Sequence, residues 1–293
     1  MEIEQLPDLD RPNVIAAFHG WNDAGQAATT ALRYLVDSWH AQPFAKIDSE
    51  DYYSYSDTRP TIRIVNGTQR ELTWPSNQFF SFAGTDSTPA AILLLGVEPN
   101  LRWKSFCAEI TRLAKSLGAQ RLVTMGALVM DTAHTRPVPL TGFSTDPAVQ
   151  QRLAARNVTR SSYEGPTGIV GVLHDACLRE ELPTASIWAG SPHYLGTTPN
   201  PKTALGLLDA LDDMLGLHLN LGEMRTVADE FVRQVSRAVS DNDEIQERLR
   251  ALEERQDAAG VGDQTPAEFP PTGAIIADLE SFLREQRDEG GPG

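Results

Sequence analysis

Four short segments carry side chains that could do chemistry, and the first lies near the N-terminus. It reads His19-Gly-Trp-Asn-Asp-Ala-Gly25 and follows an apolar run at 13–18 that predicts a buried strand. Ligands of α/β sheets bind beyond the carboxyl ends of the strands, so this segment is placed to line a cleft. Asp23 also stands where a helix N-cap belongs, and its carboxylate could instead accept the free amides of that helix. The candidate ligand-binding residues of the segment are His19, Trp21, Asn22 and Asp23.

The second segment, Ser191-Pro-His-Tyr194, follows another apolar run, at 184–188. A serine, a histidine and a distant aspartate are the side chains of nucleophilic catalysis. A serine and a histidine two residues apart in a proline-containing loop rarely bond to each other, so we expect a binding loop or a buried histidine rather than a triad. If the chain is an enzyme, Asp23 and His193 are its acid–base candidates. The ligand-binding candidates here are Ser191, His193 and Tyr194, together with Gly126 at the end of a third predicted strand.

The two remaining segments could hold an anion or a metal ion. Residues 165–171, rich in glycine, open a predicted helix whose free amides could bind a phosphate, or Thr167 could simply cap it. No pair of the possible metal ligands has the i, i+4 spacing that marks a helical metal site, so we assign no metal and no cofactor. The chain also has no P-loop, strand-linked GxGxxG, HExxH, CxxC or GxSxG motif, so the strong sequence indications of an enzyme are absent. The possible metal ligands considered are Asp23, Glu98, Asp131, His134 and His193.

An alternation of strands and helices must position these segments. It predicts an α/β fold, with strands at 13–18, 90–95, 121–125 and 184–188 and helices at 24–39, 103–117, 169–181 and 201–217. Two extended runs between 61 and 74 flank Asn66-Gly67, a pair typical of a type I′ hairpin turn, so we expect the sheet to be mixed. Segments 127–146 and 189–200 are expected to be long loops that share one rim with 19–25.

The charge of the chain is concentrated in its last quarter. The net charge is −15, and residues 220–293 hold 17 acidic and 8 basic side chains. This balance argues against nucleic acid and anionic membranes as partners, and no apolar stretch reaches the roughly 20 residues of a spanning helix. We predict a main domain at 1–219 and an acidic helical extension at 220–293 with a disordered end. The extension has helical patterns at 226–259 and 275–282, and it could pack on its own domain or on a second subunit.

The N-terminus and the cysteines predict a cytoplasmic protein. The first residues are acidic and lack the apolar core of a signal peptide. Cys107 and Cys177 both fall in amphipathic helical patterns, so we expect two buried free thiols in a reducing compartment.

The order of the motifs resembles that of the proteasome assembly chaperone 2 (PAC2) family, in its longer actinobacterial branch. The resemblance is carried by residues 18–25, by Ile187-Trp-Ala-Gly-Ser-Pro-His-Tyr194 and by Pro201-Lys-Thr-Ala, and it covers roughly 10–217. It implies a three-layer α/β/α domain with a mixed sheet, similar to the phosphorylase/hydrolase-like fold, and agrees with the strands and helices derived above. It implies no catalytic residue set.

The resemblance also implies a role in protein assembly. Eukaryotic members help to assemble the proteasome α-ring and engage it through a C-terminal motif with a tyrosine, which the final residues here, Asp-Glu-Gly-Gly-Pro-Gly, do not match. We therefore expect an assembly factor or scaffold, related to the proteasome, that forms a homo-oligomer, with a trimer as the first choice. The alternative is a small-molecule binding protein, or an enzyme of the hydrolase or phosphorylase type, that uses the cleft at the strand ends.

Overall fold

The computed structural model of the chain describes residues 1–240 and 242–259. Ten strands are described there: β1 (Glu2–Ile3), β2 (Asn13–His19), β3 (Gln42–Ile47), β4 (Thr61–Val65), β5 (Gln69–Thr73), β6 (Asn77–Phe82), β7 (Ala91–Val97), β8 (Arg121–Met130), β9 (Leu140–Ser144) and β10 (Thr184–Pro192). The α-helices of the same residues are α1 (Ala27–Ser38), α2 (Trp103–Ser116), α3 (Pro147–Ala155), α4 (Ile169–Arg179), α5 (Pro201–Leu215), α6 (Gly222–Ser240) and α7 (Asp243–Ala259).

Eight strands form one mixed sheet in the order β1-β3-β6-β7-β2-β8-β10-β9. The central strands β7, β2, β8 and β10 pair in parallel, whereas β1, β3 and β6 on one side and β9 on the other add antiparallel neighbours. The buried central strands read as continuous apolar runs because helices cover both of their faces. The predicted mixed sheet is confirmed.

Two hydrophobic cores lie on opposite faces of this sheet. Ile15 and Ala17 of β2 face the core that α1 and α5 cover, and the alternate residues Val14 and Phe18 face the core under α2 and α4. This alternation is the period of two that a strand imposes on its side chains. The three-layer α/β/α architecture is confirmed, and both Cys107 and Cys177 are buried free thiols in the second core, as predicted.

The predicted hairpin forms, but it is not part of the main sheet. Strands β4 and β5 pair antiparallel around Asn66 and Gly67, whose φ angles of 52° and 76° are both positive, as a type I′ turn requires. The pair makes a separate two-stranded sheet. The reason given from sequence for a mixed sheet was therefore wrong, because the antiparallel neighbours of the main sheet are other strands.

The two segments predicted as long loops contain strand. β8 continues to Met130 and β9 occupies Leu140–Ser144, so the prediction of a loop over 127–146 is wrong at these two strands and correct for the residues between them. β10 likewise continues to Pro192. The cause is the register of the pair, since residues 190–192 of β10 lie opposite residues 128–130 of β8, and parallel pairing extends beyond the apolar runs.

The acidic C-terminal region is helical as far as it is described. Asn242 lies between α6 and α7 and caps α7, with its Oδ1 accepting from the amide of Ile245 at 3.2 Å. Val235 and Val239 of α6 and Leu252 of α7 pack on the main body of the same chain. The division at 219/220 stays a prediction, and the predicted helix at 275–282 and the predicted disordered end lie outside the described residues.

No helix within 1–240 and 242–259 is long and apolar enough to cross a membrane.

Candidate functional site

Three chain segments meet at the carboxyl-terminal edge of the central strands. The amide of Ala127 in β8 donates to the carbonyl of Asn22 at 2.8 Å, and Asp23 forms a parallel bridge with Ala127. The amide of Asn200 donates to the carbonyl of Gly25 at 2.8 Å. The loop after β2 therefore lies between β8 and the segment after β10, as the prediction of a common rim requires.

Asp23 is the cap of the first helix. Its Oδ1 accepts from the amides of Ala28 and Thr29 at 2.9 and 3.2 Å, and its Oδ2 accepts from the Thr29 hydroxyl at 2.5 Å. The side chain is buried and its Oδ2 also lies 3.4 Å from Nδ1 of the half-exposed His19. The hydrogen bond to this carboxylate raises the pKa of His19. Capping is the alternative that the sequence left open, and the acid–base role of Asp23 stays a prediction.

Glu98 ties the same loop to the start of α4. Its Oε1 accepts from the amide of Ile169 at 2.7 Å and from Nδ2 of Asn22 at 3.0 Å, and its Oε2 accepts from the amide of Trp21 at 3.3 Å. Glu98, and not Thr167, therefore caps the glycine-rich helix entrance. Gly168 leaves room for both side chains, since a Cβ there would lie 2.4 Å from Asn22 Nδ2 and 2.7 Å from Glu98 Oε1. Among the ligand-binding candidates, Asn22 is thus buried against a carboxylate, whereas the Trp21 side chain is 60% exposed.

Ser191 is buried and bonded to a neighbour other than a histidine. Its Oγ accepts from Nδ2 of Asn200 at 3.1 Å, and the same asparagine caps α5 by accepting from the amide of Thr203. His193 lies elsewhere, with its Nδ1 3.0 Å from Asp131 Oδ1 but not aligned for a hydrogen bond. No Ser191–His193 bond is formed, in agreement with the short spacing of the two residues.

Gly126 has a packing role. The ring of Trp188 on the adjacent strand occupies the space that a side chain would need, since a Cβ at Gly126 would lie 2.4 Å from two carbons of the indole. A ligand-binding role for Gly126 stays a prediction, and the contact shows why a larger residue does not fit.

A second polar cluster is centred on the buried His134. Its Nδ1 lies 2.8 Å from the hydroxyl of Tyr194, and its Nε2 lies 3.0 Å from the hydroxyl of Ser236 on α6. The Tyr194 hydroxyl also accepts from the amide of His134 at 2.7 Å. Burial and the nearby Lys202 ammonium lower the pKa of His134 to about 4, and burial raises the pKa of Tyr194.

Lys202, in the Pro-Lys-Thr-Ala segment, binds the backbone on either side of this cluster's turn. Its Nζ donates to the carbonyls of His134 and Arg136, both at 2.5 Å. Burial lowers the pKa of Lys202 to about 8. The lysine thus stabilises the backbone of the 132–136 turn. The C-terminal helices pack against this turn.

Polar side chains of α7 hold the outer side of the same turn. Gln256 accepts from the Thr132 hydroxyl at 2.9 Å and from the amide of Ala133 at 3.1 Å. Arg136 forms a two-pronged ion pair with Asp257, through N–O distances of 2.8 and 2.9 Å. The helical extension therefore lies over the segments after β8 and β10, where the sequence predicted an open rim.

The structure divides the predicted site residues into two groups. His19, Asn22 and Asp23 surround the starts of α1 and α4, and His193 and Tyr194 belong with Asp131 and His134 under α6 and α7. Nothing in the sequence indicated that Thr29, Ser236 and Gln256 would contribute to these clusters. Lys202 was not predicted either, but it lies in the Pro201-Lys-Thr-Ala motif named in the sequence analysis. Within the described ranges, no group of three or more His, Cys, Asp or Glu side chains is arranged to hold a metal ion.

The fold and the site together define an α/β/α protein in which side-chain caps connect the loops at the strand ends, and C-terminal helices cover these loops. The PAC2 family matches residues 17–239. With more than half of its length matched, the chain belongs to the PAC2 family, as the order of the motifs predicted.

Solved structures from actinobacteria are similar to the chain. A PAC2 family protein from Streptomyces avermitilis is 40% identical with a TM-score of 0.71, covering 81% of this chain and 99% of its own. A proteasome-assembly chaperone homologue of Mycobacterium tuberculosis is 39% identical with a TM-score of 0.73 and the same coverage. A Mycobacterium tuberculosis protein of unknown function shares the fold at 23% identity, with a TM-score of 0.80 and 88% of each chain covered. None of the curated proteins compared with the sequence matches it.

Proposed function

We propose that the chain is a protein-assembly factor, related to the proteasome, that docks on a partner protein through the β4–β5 hairpin, called the ribbon below. The family supports an assembly role, because a relative 39% identical over most of both chains is a proteasome-assembly chaperone homologue. The observation that carries the proposal is the exposed apolar face of the ribbon.

One face of the ribbon is apolar and open to solvent. Ile62 and Ile64 of β4 share this face, and Leu72 lies opposite Ile62 in β5. Their exposed fractions are 59%, 68% and 46%. At the root of the ribbon, the ring of Trp74 packs against Tyr55 at a centroid distance of 4.7 Å. An isolated two-stranded ribbon is marginally stable in water, so a projecting apolar one is typical of an interaction surface.

The charge of the ribbon specifies the partner chemistry. Residues 59–74 contain three arginines and one glutamate, a net positive segment in a chain of net charge −15. Arg70 lies opposite Ile64 and so stands on the apolar face, whereas Arg63 pairs with Glu71 on the other face at 2.9 Å. We commit to a partner subunit whose surface has an apolar patch with carboxylates at its rim, which meets both features of the ribbon.

The alternative of an enzyme using the cleft receives less support from the same geometry. Both oxygens of Asp23 accept bonds from the chain itself, and His193 faces Asp131, whose carboxylate lies 3.9 Å from Arg255 of α7. Because these side chains are bonded within the chain, we retain one function. Self-association, with a trimer as the first choice, and a cytoplasmic location are part of the proposal.

The test is recovery of partner subunits from the cells that produce the chain. The full-length protein is purified gently and its complexes are weighed by native mass spectrometry. We expect a stoichiometric complex with proteasome subunits, and a loss of roughly tenfold or more of that complex for the double variant Ile62→Ser/Ile64→Ser.

A matched control comes from the other face of the same hairpin. The variant Arg63→Gln/Glu71→Gln removes an exposed ion pair, leaves the apolar face unchanged and should retain the partner. Recovery of the parent protein as a bare homo-oligomer would contradict partner docking. A change in subunit count for the double serine variant, with no partner lost, would assign the ribbon to self-association and overturn the proposal.

A further inference from the structure

A pocket lies at the β9 edge of the main sheet, away from the ribbon. It has a volume of about 300 Å³. Its floor is one face of β10 and β9, where Ser186 and Trp188 lie opposite Phe143 and Thr141. Because β3 and β6, which flank the ribbon in sequence, lie toward the opposite end of the strand order, the pocket and the ribbon can be tested separately. The lining residues are Thr141, Gly142, Phe143, Arg160, Ser161, Ser186 and Trp188.

One side of the pocket is formed by residues 158–161, called the strap. Thr159 forms a parallel bridge with Thr141, and its carbonyl accepts from the amide of Gly142 at 2.9 Å. Gly142 lets the strap approach, since a Cβ there would lie 3.0 Å from Cγ1 of Val158 in the strap. The chain then turns, so that Arg160 stands over the ring of Phe143 at 4.4 Å.

Several polar side chains around the pocket make no polar bond within the described residues, whereas Ser161 Oγ accepts from the amide of Tyr163 at 3.2 Å. Within 1–240 and 242–259, the guanidinium of Arg160 has a cation–π contact but no carboxylate at ion-pair distance and no hydrogen bond. Over the same residues, the Thr141 and Ser186 hydroxyls and the indole N–H of Trp188 donate to no protein group. Donors of this kind around an aromatic floor are what a pocket uses to orient a small ligand. A planar guanidinium is suited to a carboxylate or a phosphate.

We propose that this pocket binds a small aromatic anion, with its carboxylate or phosphate on Arg160 and its ring against Trp188. The hydroxyls of Thr141 and Ser186 then donate to the remaining anion oxygens. Each water occupies roughly 30 Å³ of liquid, so the pocket takes a ligand on the order of ten non-hydrogen atoms. The inference goes beyond the proposed function, because it adds a ligand that the assembly role does not require.

The test uses phenyl phosphate and 4-hydroxyphenylacetate as probes, with the full chain. Binding is followed by isothermal titration calorimetry and by quenching of tryptophan fluorescence. We expect Arg160→Gln to weaken binding of both probes by roughly ten- to a hundredfold, the range for a hydrogen bond to a charged group. Arg160 is exposed and makes no polar bond within the described part of the chain, so this change should leave the fold intact, which circular dichroism checks.

Two controls distinguish the contributions of the ligand ring, the anionic group and the net charge of the protein to binding. Phenol and inorganic phosphate each supply half of the ligand, and each should bind at least tenfold more weakly than phenyl phosphate. Arg33→Gln removes the same charge from α1, which covers the opposite face of the sheet, and should leave binding unchanged. The proposal is overturned if neither probe binds, if phenol binds as well as phenyl phosphate, or if Arg160→Gln and Arg33→Gln have equal effects. Preference for one probe would identify the anionic group that the pocket takes.

Discussion

The buried histidine under α6 should make the stability of this protein sensitive to mild acid. His134 is 2% exposed, and its ring lies between the hydroxyls of Tyr194 and Ser236. The Lys202 ammonium donates to the backbone carbonyl of His134. Burial lowers its pKa from 6.5 to about 4. The unfolded chain therefore binds more protons than the folded chain between these values. The free energy of unfolding is fully retained above pH 6.5 and is lost as the pH falls toward 4.

The size of the effect follows from this difference in pKa. Between pH 7.5 and pH 5.5, protonation of the unfolded histidine should remove about 1 kcal/mol of the free energy of unfolding. Continuing to pH 4 would remove about 3 kcal/mol in total. The measurement stops at pH 5.5, because the net charge of −15 falls as carboxylates protonate and solubility falls with it.

Urea unfolding at the two pH values measures the loss, and a variant isolates the histidine. His134→Gln keeps a polar side chain beside Ser236 but cannot titrate, so its loss between pH 7.5 and 5.5 should be smaller by about 1 kcal/mol. His40→Gln removes an exposed histidine after α1 and serves as the matched control. The hydrogen-exchange protection of α6 and α7, measured relative to the intrinsic exchange rate at each pH, should fall with acidity in the parent protein, because the histidine bonds to α6. Equal pH-dependent losses in the parent protein and in His134→Gln would refute the reasoning.

Three further predictions concern the caps and contacts of the strand-end loops. Asp23→Ala should lower the free energy of unfolding by about 2–3 kcal/mol, because two α1 amides lose a charged acceptor, and urea unfolding at pH 7 measures it. Gly126→Ala should cost about 1–3 kcal/mol in the same assay, since its methyl group overlaps the ring of Trp188, and a neutral result would contradict the packing role. Arg136→Ala should raise hydrogen exchange across 243–259 while β2 and β8 keep their protection, whereas uniform exchange rates would count against a local clasp.

Much of the central architecture could be predicted because its signals are local. The strands at 13–19, 91–97 and 184–192 contain apolar runs, and the helices α1, α2, α4 and α5 show an apolar stripe with recognisable ends. Pro201 at the first helical position and Gly118 with a φ of 64° after α2 are examples of such ends. These features depend on a few adjacent residues and not on the partner across the sheet.

The outer strands could not be predicted, because their bonds come from distant segments. β3 begins with Gln42 and Pro43, has a shift in register after Pro43 and pairs with β6 more than thirty residues later. The hairpin turn at Asn66 was predicted correctly, but nothing in its local sequence states whether the pair joins the main sheet. Pairing with neighbours is a tertiary outcome, which local propensity does not encode.

The candidate site shows the same limit. The cap at Asp23 could be anticipated because its acceptor role involves amides five and six residues away. Glu98 instead binds Asn22 and Ile169 across 76 and 71 positions, and His134 reaches Ser236 across 102. Polar side chains joined over such distances carry no spacing rule, so their partners become visible only in the folded chain.

The carboxylate of Glu98 has a consequence for how this fold meets phosphate. It belongs to the same chain as the α4 amide that it binds. Its effective concentration at that amide is therefore on the order of millimolar or above. Free anions must compete with this internal occupant, which cannot diffuse away. Replacing it by Glu98→Ala removes this acceptor and should allow inorganic phosphate to shift the amide resonance of Ile169 in a nuclear magnetic resonance titration, and an unchanged resonance would exclude competition. The amides that open α4 are thus already bonded to a carboxylate of the same chain, and any free anion would meet an occupied site.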